Sequence, residues 1–273
     1  LVMGMEFEND FRQIQKNFTN NPFTLNTDEE NKGQQIGLYL QDEIRLGDKL
    51  IVSAGLRHDN HKGFGGITNP RLGFIFLPNQ DISIKALYGS AYRIPNVNER
   101  FFQDGISQAA NPNLKPEKIK TYELAYEQRL TGQTKLNASW FRYRAKELIA
   151  LTSGTAGGLD QYDNLGNSEA TGLEFGLDKN WNDKMYGRIS FTRQRARDVV
   201  NGLALHNSPE KLAKLNVTAP IWGEKLQLGF ESQFTGARKT KLAEVPSYHL
   251  ENLVVQAPYL IKGGNVSLGI YNL

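Results

Sequence analysis

The sequence predicts an all-β fold, an antiparallel up-and-down sheet that crosses a lipid bilayer as part of a β-barrel. Three observations lead there. Apolar and polar residues alternate with period two in segment after segment. There are about thirteen such segments, mostly of roughly nine to fifteen residues, longer than the five or six of soluble sheets. Turns of about two to four residues alternate with connections that are mostly longer, and short turns at one end with long loops at the other is the outer-membrane barrel arrangement. Strands of about ten tilted residues are what the bilayer core requires. A large soluble sandwich or propeller competes with this reading. A sandwich has no reason to keep its short loops at one end, and no repeat of about forty residues supports a propeller.

Taken in order, the first strand covers Leu1 to Glu8, and a polar connection is expected from Asn9 to Gly33. In QIGLYLQDEIRL, Ile36, Leu38, Leu40, Ile44 and Leu46 share one parity, interrupted by Asp42. Gly47-Asp48 is a tight-turn signal. LIVSAGLRHD then sets Leu50, Val52, Ala54 and Leu56 against Ser53, Gly55 and Arg57. A strand from Pro70 to Leu77 ends in the turn Pro78-Asn79-Gln80-Asp81. DISIKALYGSAYR climbs to the longest connection, Tyr92 to Lys118, whose prolines exclude helix at both flanks.

IKTYELAYEQRL alternates cleanly, with Tyr122, Leu124 and Tyr126 opposite Thr121, Glu123, Glu127 and Arg129. KLNASWFRYRAKELIAL rises to a Gly-rich loop at Thr152 to Gly158, and ATGLEFGLDKNW descends. MYGRISFTRQRARD, LAKLNVTAPIW, LQLGFESQF, SYHLENLVVQAPYLI and NVSLGIYNL complete the series. Turns are expected at Asn182-Asp183-Lys184, Gly223-Glu224-Lys225 and Lys262-Gly263-Gly264, and a basic tip at Arg238 to Val245. Trp181, Trp222 and Tyr259, near strand ends, fit an interfacial aromatic girdle. An odd strand count would close only through a parallel seam, so the chain reads as part of a larger barrel. Both ends read as mid-strand, without a signal peptide at LVMGMEFEND.

Composition narrows the chemistry. The 273 residues contain no Cys, which removes disulfides, thiolate metal sites and Cys nucleophiles. A net charge of +3 does not suggest a nucleic-acid binder. Mean hydropathy is −0.49, and no apolar run is long enough for a helical span, which leaves barrel strands untouched. No Gly-x-Ser-x-Gly, His-Glu-x-x-His or phosphate-loop pattern occurs, so no catalytic residue is assigned and the chain is read as a non-enzyme. His58 and His61, three apart on a strand, point to opposite faces. They are read as solvated loop residues, and no metal or cofactor is expected.

Several runs resemble those of the TonB-dependent outer-membrane receptors. Tyr92-Arg93-Ile94-Pro95-Asn96 is similar to the family's aromatic-Arg-Ala-Pro-Asn run. Asn111-Pro112-Asn113-Leu114-Lys115-Pro116-Glu117, followed by Tyr122-Glu123, resembles its Asn-Pro-Asx-Leu-Lys-Pro-Glu run and the strand after it. NLGNSEATGLEF, from Asn164 to Phe175, and the final Ile270-Tyr271-Asn272-Leu273 are similar to further family segments. The resemblance implies a barrel of about twenty-two strands filled by a plug. Residues 1–273 would supply about thirteen of those strands, from its C-terminal part, without the plug, the TonB-contacting box or the closing strand. It implies a Gram-negative outer-membrane location, contact with lipid and lipopolysaccharide, and a monomer when full length. The implied ligand is a ferric siderophore or similar iron complex, with cobalamin as the alternative and a passive porin or structural barrel as the other class. TonB would be reached only through the plug. Some haem receptors of the family carry a His between the two runs, and none lies between Pro95 and Asn111.

Candidate binding residues follow from position. Arg93, Asn96, Asn98, Glu99, Arg100, Phe101 and Phe102 occupy the long connection, and the two phenylalanines are candidates to stack on an aromatic chelator or to pack as a loop core. Arg142, Arg144, Lys146, Arg193, Arg195, Arg197, Arg238, Lys239 and Lys241 gather at the same strand ends. Of these, Arg144, Arg193 and Arg195 join the candidate mouth, where positive charge would concentrate an anionic solute. The competing use is attachment to lipopolysaccharide phosphates outside the barrel.

Overall fold

A computed structural model describes residues 1–273 apart from 183, 224, 262 and 263, and the side chains of 259–261 are also outside the described set. The turns expected at Asp183, Glu224 and Lys262-Gly263 and the girdle role of Tyr259 therefore lie outside the described residues. The strands are β1 (Val2–Asn20), β2 (Phe23–Leu46), β3 (Leu50–His61), β4 (Gly65–Asn79), β5 (Ile82–Arg93), β6 (Gln108–Ala109), β7 (Glu117–Thr131), β8 (Thr134–Ala156) and β9 (Leu159–Asn182). They continue as β10 (Met185–Asp198), β11 (Lys211–Trp222), β12 (Leu226–Thr235), β13 (Arg238–Lys239), β14 (Glu244–Val245), β15 (Tyr248–Ile261) and β16 (Gly264–Tyr271). One short helix, α1 (Val97–Phe101), interrupts them. Thirteen of the strands form one antiparallel sheet in which each neighbours the next in sequence, from β1 to β16. Among the described residues, β6, parallel to β9, and the β13–β14 pair lie off that path. Among the described residues β1 and β16 do not pair with each other.

Register shows why the alternation matters. One face carries a continuous apolar row: Met5 opposite Leu38, Leu40 opposite Leu56, Leu72 opposite Tyr88, Leu124 opposite Trp140, and Leu173 beyond it. Farther along, Phe191 pairs with Phe175, Phe230 with Leu253 and Leu253 with Ile270. Most of these side chains are exposed, with Tyr88, Phe230 and Leu253 half-buried, and among the described residues the buried apolar side chains are few, Ile67, Leu114, Phe141 and Ala257 with Pro95. The sheet thus has no apolar interior of its own, and its hydrocarbon points away from it. Asp42 lies in that row opposite Ala54 and accepts the Glu43 N–H (3.1 Å). Trp181 and Trp222 sit exposed at the short-turn end, each beside a lysine, Lys179 and Lys225. Such amphipathic pairing suits a water–lipid boundary.

The other face is polar. Arg57 donates to Glu6 Oε2 (2.7 Å) and to both oxygens of Asp59 (2.9 Å each), and Asp59 is wholly buried. Gly37 lies under this network because a Cβ there would stand 2.5 Å from Asp59 Oδ1 and 2.8 Å from Arg57 Nη2.

Three expected loops are strand instead. Asn9 to Gly33 continues β1 and β2 to a turn at Asn21-Pro22, and the β3–β4 connection is three residues, Lys62 to Phe64. The Gly-rich loop closes up as β8 and β9 running to Gly157-Gly158, both with φ > 0. β9 has 24 residues, roughly 80 Å at about 3.3 Å each, far more than the ~25 Å apolar band. Above that band both faces meet water, so the ladder persists while its hydrophobic alternation disappears.

Candidate functional site

The connection after β5 is built by its own motif residues. Asn96 caps α1 by accepting the Glu99 N–H (2.8 Å), while Glu99 accepts the Asn96 N–H (2.8 Å). This reciprocal box satisfies two otherwise orphaned donors and explains a helix where none was expected. The Asn-x-x-Glu spacing was the available signal. Arg93 ties the box to the barrel rim: it donates to both Glu99 oxygens (2.8 and 3.0 Å) and to Glu117 Oε2 (2.7 Å). Two carboxylates therefore compensate its charge.

The second motif run is clamped to the β8–β9 hairpin. Asn111 donates to Tyr162 O and Asp163 Oδ1 (2.8 Å each). Asn164 accepts the Lys115 N–H (2.7 Å) and donates to Lys115 O (2.9 Å) and Glu147 O (2.7 Å). Leu114 is buried between these clamps at 4% exposure. Between the runs, Asp104 accepts from the Ser107 hydroxyl and the N–H groups of Ile106, Ser107 and Gln108. The hydroxyl first, then the three N–H groups, hold its carboxyl well below the usual carboxylate range.

A cavity of about 640 Å³ opens where α1 faces the β1–β2 hairpin and the β3–β4 tip. Arg100 forms one wall, its guanidinium 4.6 Å from both the Phe64 and Phe101 ring centroids. It donates to Pro112 O (3.1 Å), and its Nε is enclosed without a partner among the described residues. Burial lowers the proton affinity of this guanidinium. The opposite wall carries Glu8, Asp10, Lys32 and Gln35. The Thr27 hydroxyl donates to Gln103 O, and the Gln15 carboxamide, oriented to satisfy both partners, bridges Val97 O (3.3 Å) and the Asn98 N–H (3.0 Å). Beneath lies a second cavity, about 710 Å³, that shares Gln35, His61 and Ile94 with the first.

His61 corrects the solvated-histidine reading. It is 5% exposed, and its Nε2 lies 2.6 Å from the Tyr92 hydroxyl. His58, on the other face, pairs with Thr68 (2.8 Å). Beyond Arg71 and Gly89 the β4–β5 ladder ends, while Tyr92 stays paired with Lys118 of β7 on its other side.

The structure brings Asn96, Asn98, Arg100 and Phe101 to the cavity. Arg93 and Glu99 brace its floor. Phe102 ends the helix outside the cavity lining, its N–H bonded to Asn98 O (3.1 Å). The remaining three are elsewhere. Arg144 registers with Lys120 and Glu169, Arg195 with Thr171, and Arg193 with Leu173, all in the outward row that holds Trp140 and Phe191. Phe64, Gln35 and His61 were missed, because nothing in the sequence brings the β3–β4 tip to the long connection.

Comparison with known proteins follows this geometry. The family described as TonB dependent receptor-like, beta-barrel, matches residues 1–273. The vitamin B12 transporter BtuB of Vibrio cholerae is 32% identical over 128 residues, 46% of this chain and 19% of its own length. The heme/hemopexin utilization protein C of Haemophilus influenzae is 23% identical over 301 residues, covering 92% of this chain and 42% of its own. In structure, the ferric enterobactin receptor PfeA of Pseudomonas aeruginosa, in complex with enterobactin, superposes with a TM-score of 0.76 at 20% identity, covering 91% of this chain and 41% of that one. The chain thus spans from about a fifth to under a half of the length of these relatives. With its whole length matched, the chain belongs to the TonB-dependent receptor β-barrel family.

Proposed function

We propose that this chain is the C-terminal barrel portion of an outer-membrane receptor that takes up a ferric siderophore or similar iron complex, energised by TonB through a plug domain. The mouth cavity carries the reading. Its volume suits a small-molecule ligand, and Arg100 between two aromatic rings offers positive charge and π-faces together. An anionic iron chelate with aromatic or carbonyl donors matches both. The work is binding and passage, with no bond made or broken, so the residues act by recognition. Cobalamin is the second reading, favoured by the 32% identity to the vitamin B12 transporter over 128 residues.

The test uses the intact receptor, purified and titrated with ferric enterobactin, a ferric hydroxamate and cyanocobalamin. Saturable binding of a ferric chelate, with matching growth under iron limitation, is expected. Affinity for cyanocobalamin alone would select the second reading, and affinity for none of the three would remove both.

A further inference from the structure

The mouth cavity does not carry the charge expected of a site for a strong anion. Glu6, Glu8 and Asp10 follow one another on the polar face of β1. Glu6 is answered by Arg57 at 2.7 Å. Glu8 and Asp10 line the cavity and have no ion-pair partner among the described residues. Asp10 lies across the strand opposite because its partner there is Gly33. A Cβ on that glycine would stand 2.7 Å from Asp10 Oδ2, and the same oxygen accepts from Gln13 Nε2 (2.8 Å). Against these two carboxylates the lining sets Arg100 and two exposed lysines, Lys32 and Lys62. The cavity is therefore close to charge balance.

Its unused hydrogen-bonding groups are donors. Arg100 Nε and Asn31 Nδ2, both on lining residues, are enclosed and have no acceptor among the described residues. An enclosed N–H without an acceptor is costly, so both call for an oxygen from outside the chain. Phe64 and Phe101 lie against the Arg100 guanidinium, which leaves its N–H edge to a ligand. The carboxamides of Gln13, Gln35 and Asn98 line the same space with neutral donors and acceptors.

We propose that Glu8 and Asp10 are specificity residues that reject multiply anionic chelates, so that the mouth selects a ferric hydroxamate, an iron complex of low net charge rich in carbonyl oxygens. The assignment rests on the iron-chelate reading and narrows it. Three hydroxamates, each singly charged, balance a ferric ion, whereas three catecholates leave it with three excess negative charges. Two unpaired carboxylates in the cavity wall oppose the second complex and are indifferent to the first. Like-charge rejection of this kind supplies selectivity that attraction alone does not. Hydroxamate carbonyl oxygens are also the acceptors that the Arg100 edge and Asn31 lack.

The intact receptor is titrated side by side with ferrichrome, a neutral ferric trihydroxamate, and with ferric enterobactin, a ferric tris-catecholate. Ferrichrome is expected to bind about tenfold more tightly. In Glu8→Gln/Asp10→Asn the affinity for ferric enterobactin should rise about tenfold, while that for ferrichrome changes by less than about threefold. Equal or tighter binding of ferric enterobactin by the unaltered receptor overturns the assignment, and so does a folded double variant with the same preference. The comparison of the two chelates uses the unaltered receptor, so it decides even where the variant fails to fold. Preference for ferric enterobactin defeats the specificity and leaves the iron-chelate reading standing. Binding of neither chelate removes that reading and the specificity with it.

Discussion

Arg100 and Arg144 stand at the same end of the sheet, carry the same charge and come from stretches that look equally polar. Their surroundings have little in common. Arg100 is wedged between Phe64 and Phe101 at the edge of a cavity. Arg144 lies on the outer wall against Glu169, in the row that becomes hydrocarbon-facing a few residues down. Strand parity puts Arg144 on the wall, whereas Arg100 is carried to the cavity by the capped helix α1. In a sheet, shifting by one residue changes the solvent a side chain meets, so nearness along the chain to a binding loop does not confer membership of its site. The mouth is also held together from a distance, through Asn111 and Asn164, whereas the wall is held by cross-strand neighbours.

Substitutions separate the two regions in a defined order. The largest effect is expected from Asn164→Ala, which strips the clamp from Lys115 and Glu147. Two of these bonds are exposed and the one to Glu147 O is part-buried, so their loss destabilises the connection by roughly 2 kcal/mol. Hydrogen exchange should show residues 94–116 losing protection while β7 and β10 keep theirs; uniform loss would merge the two regions into one unit.

Arg100→Ala should follow, lowering ligand affinity about tenfold, the scale of one lost charge-assisted hydrogen bond, with the barrel strands keeping their protection. Equal affinity in an equilibrium titration would remove Arg100 from the mouth.

Asp104 gives a smaller effect that depends on pH. Its folded carboxyl titrates below the usual value, set first by the Ser107 hydroxyl and then by backbone N–H groups. The stability it contributes is therefore complete above the ordinary carboxylate value of about 3.9 and is lost as pH falls through the folded value. Protection of residues 103–109 should persist at pH 5 and fade only in stronger acid. In Asp104→Asn that protection should be weaker and nearly flat across the same range, and an unaltered acid profile would contradict the assignment.

Least is expected of Arg193→Gln/Arg195→Gln on the mouth itself. Both are exposed and unpaired among the described residues, so thermal stability should move by no more than about 0.5 kcal/mol and ligand affinity should not change. A clear loss of ligand affinity would return these arginines to the lumen.

The sheet was legible in the sequence where one face meets hydrocarbon. Leu38, Leu40, Leu56, Leu124 and Leu173 all hold the outward row their parity assigned. Legibility ended where that contrast ends. Asn9 to Gly33 and Thr152 to Gly158 look like loops because polar residues occupy both faces, yet their backbones pair to Asn20 and Ala156. The candidate mouth was legible only in part. Asn96, Asn98, Arg100 and Phe101 sit in a stretch marked by its prolines, but Phe64 and His61 reach the same cavity through the fold of a hairpin distant in sequence. Arg144, Arg193 and Arg195 needed the register itself, because a cluster of arginines looks the same from sequence whether it lines a lumen or faces a leaflet.

The account turns on which face of the sheet meets lipid. The chain has no cysteine, so single cysteines can be placed from Glu123 to Tyr126 and from Arg188 to Phe191 in the intact, membrane-inserted receptor and spin-labelled. Oxygen should reach the labels at positions 124, 126, 189 and 191, and a water-soluble nickel chelate those at 123, 125, 188 and 190, a strict alternation of period two. Labels that show no alternation, or water access at Leu124 and Phe191, would contradict the claim that this sheet turns its apolar rows outward to a membrane.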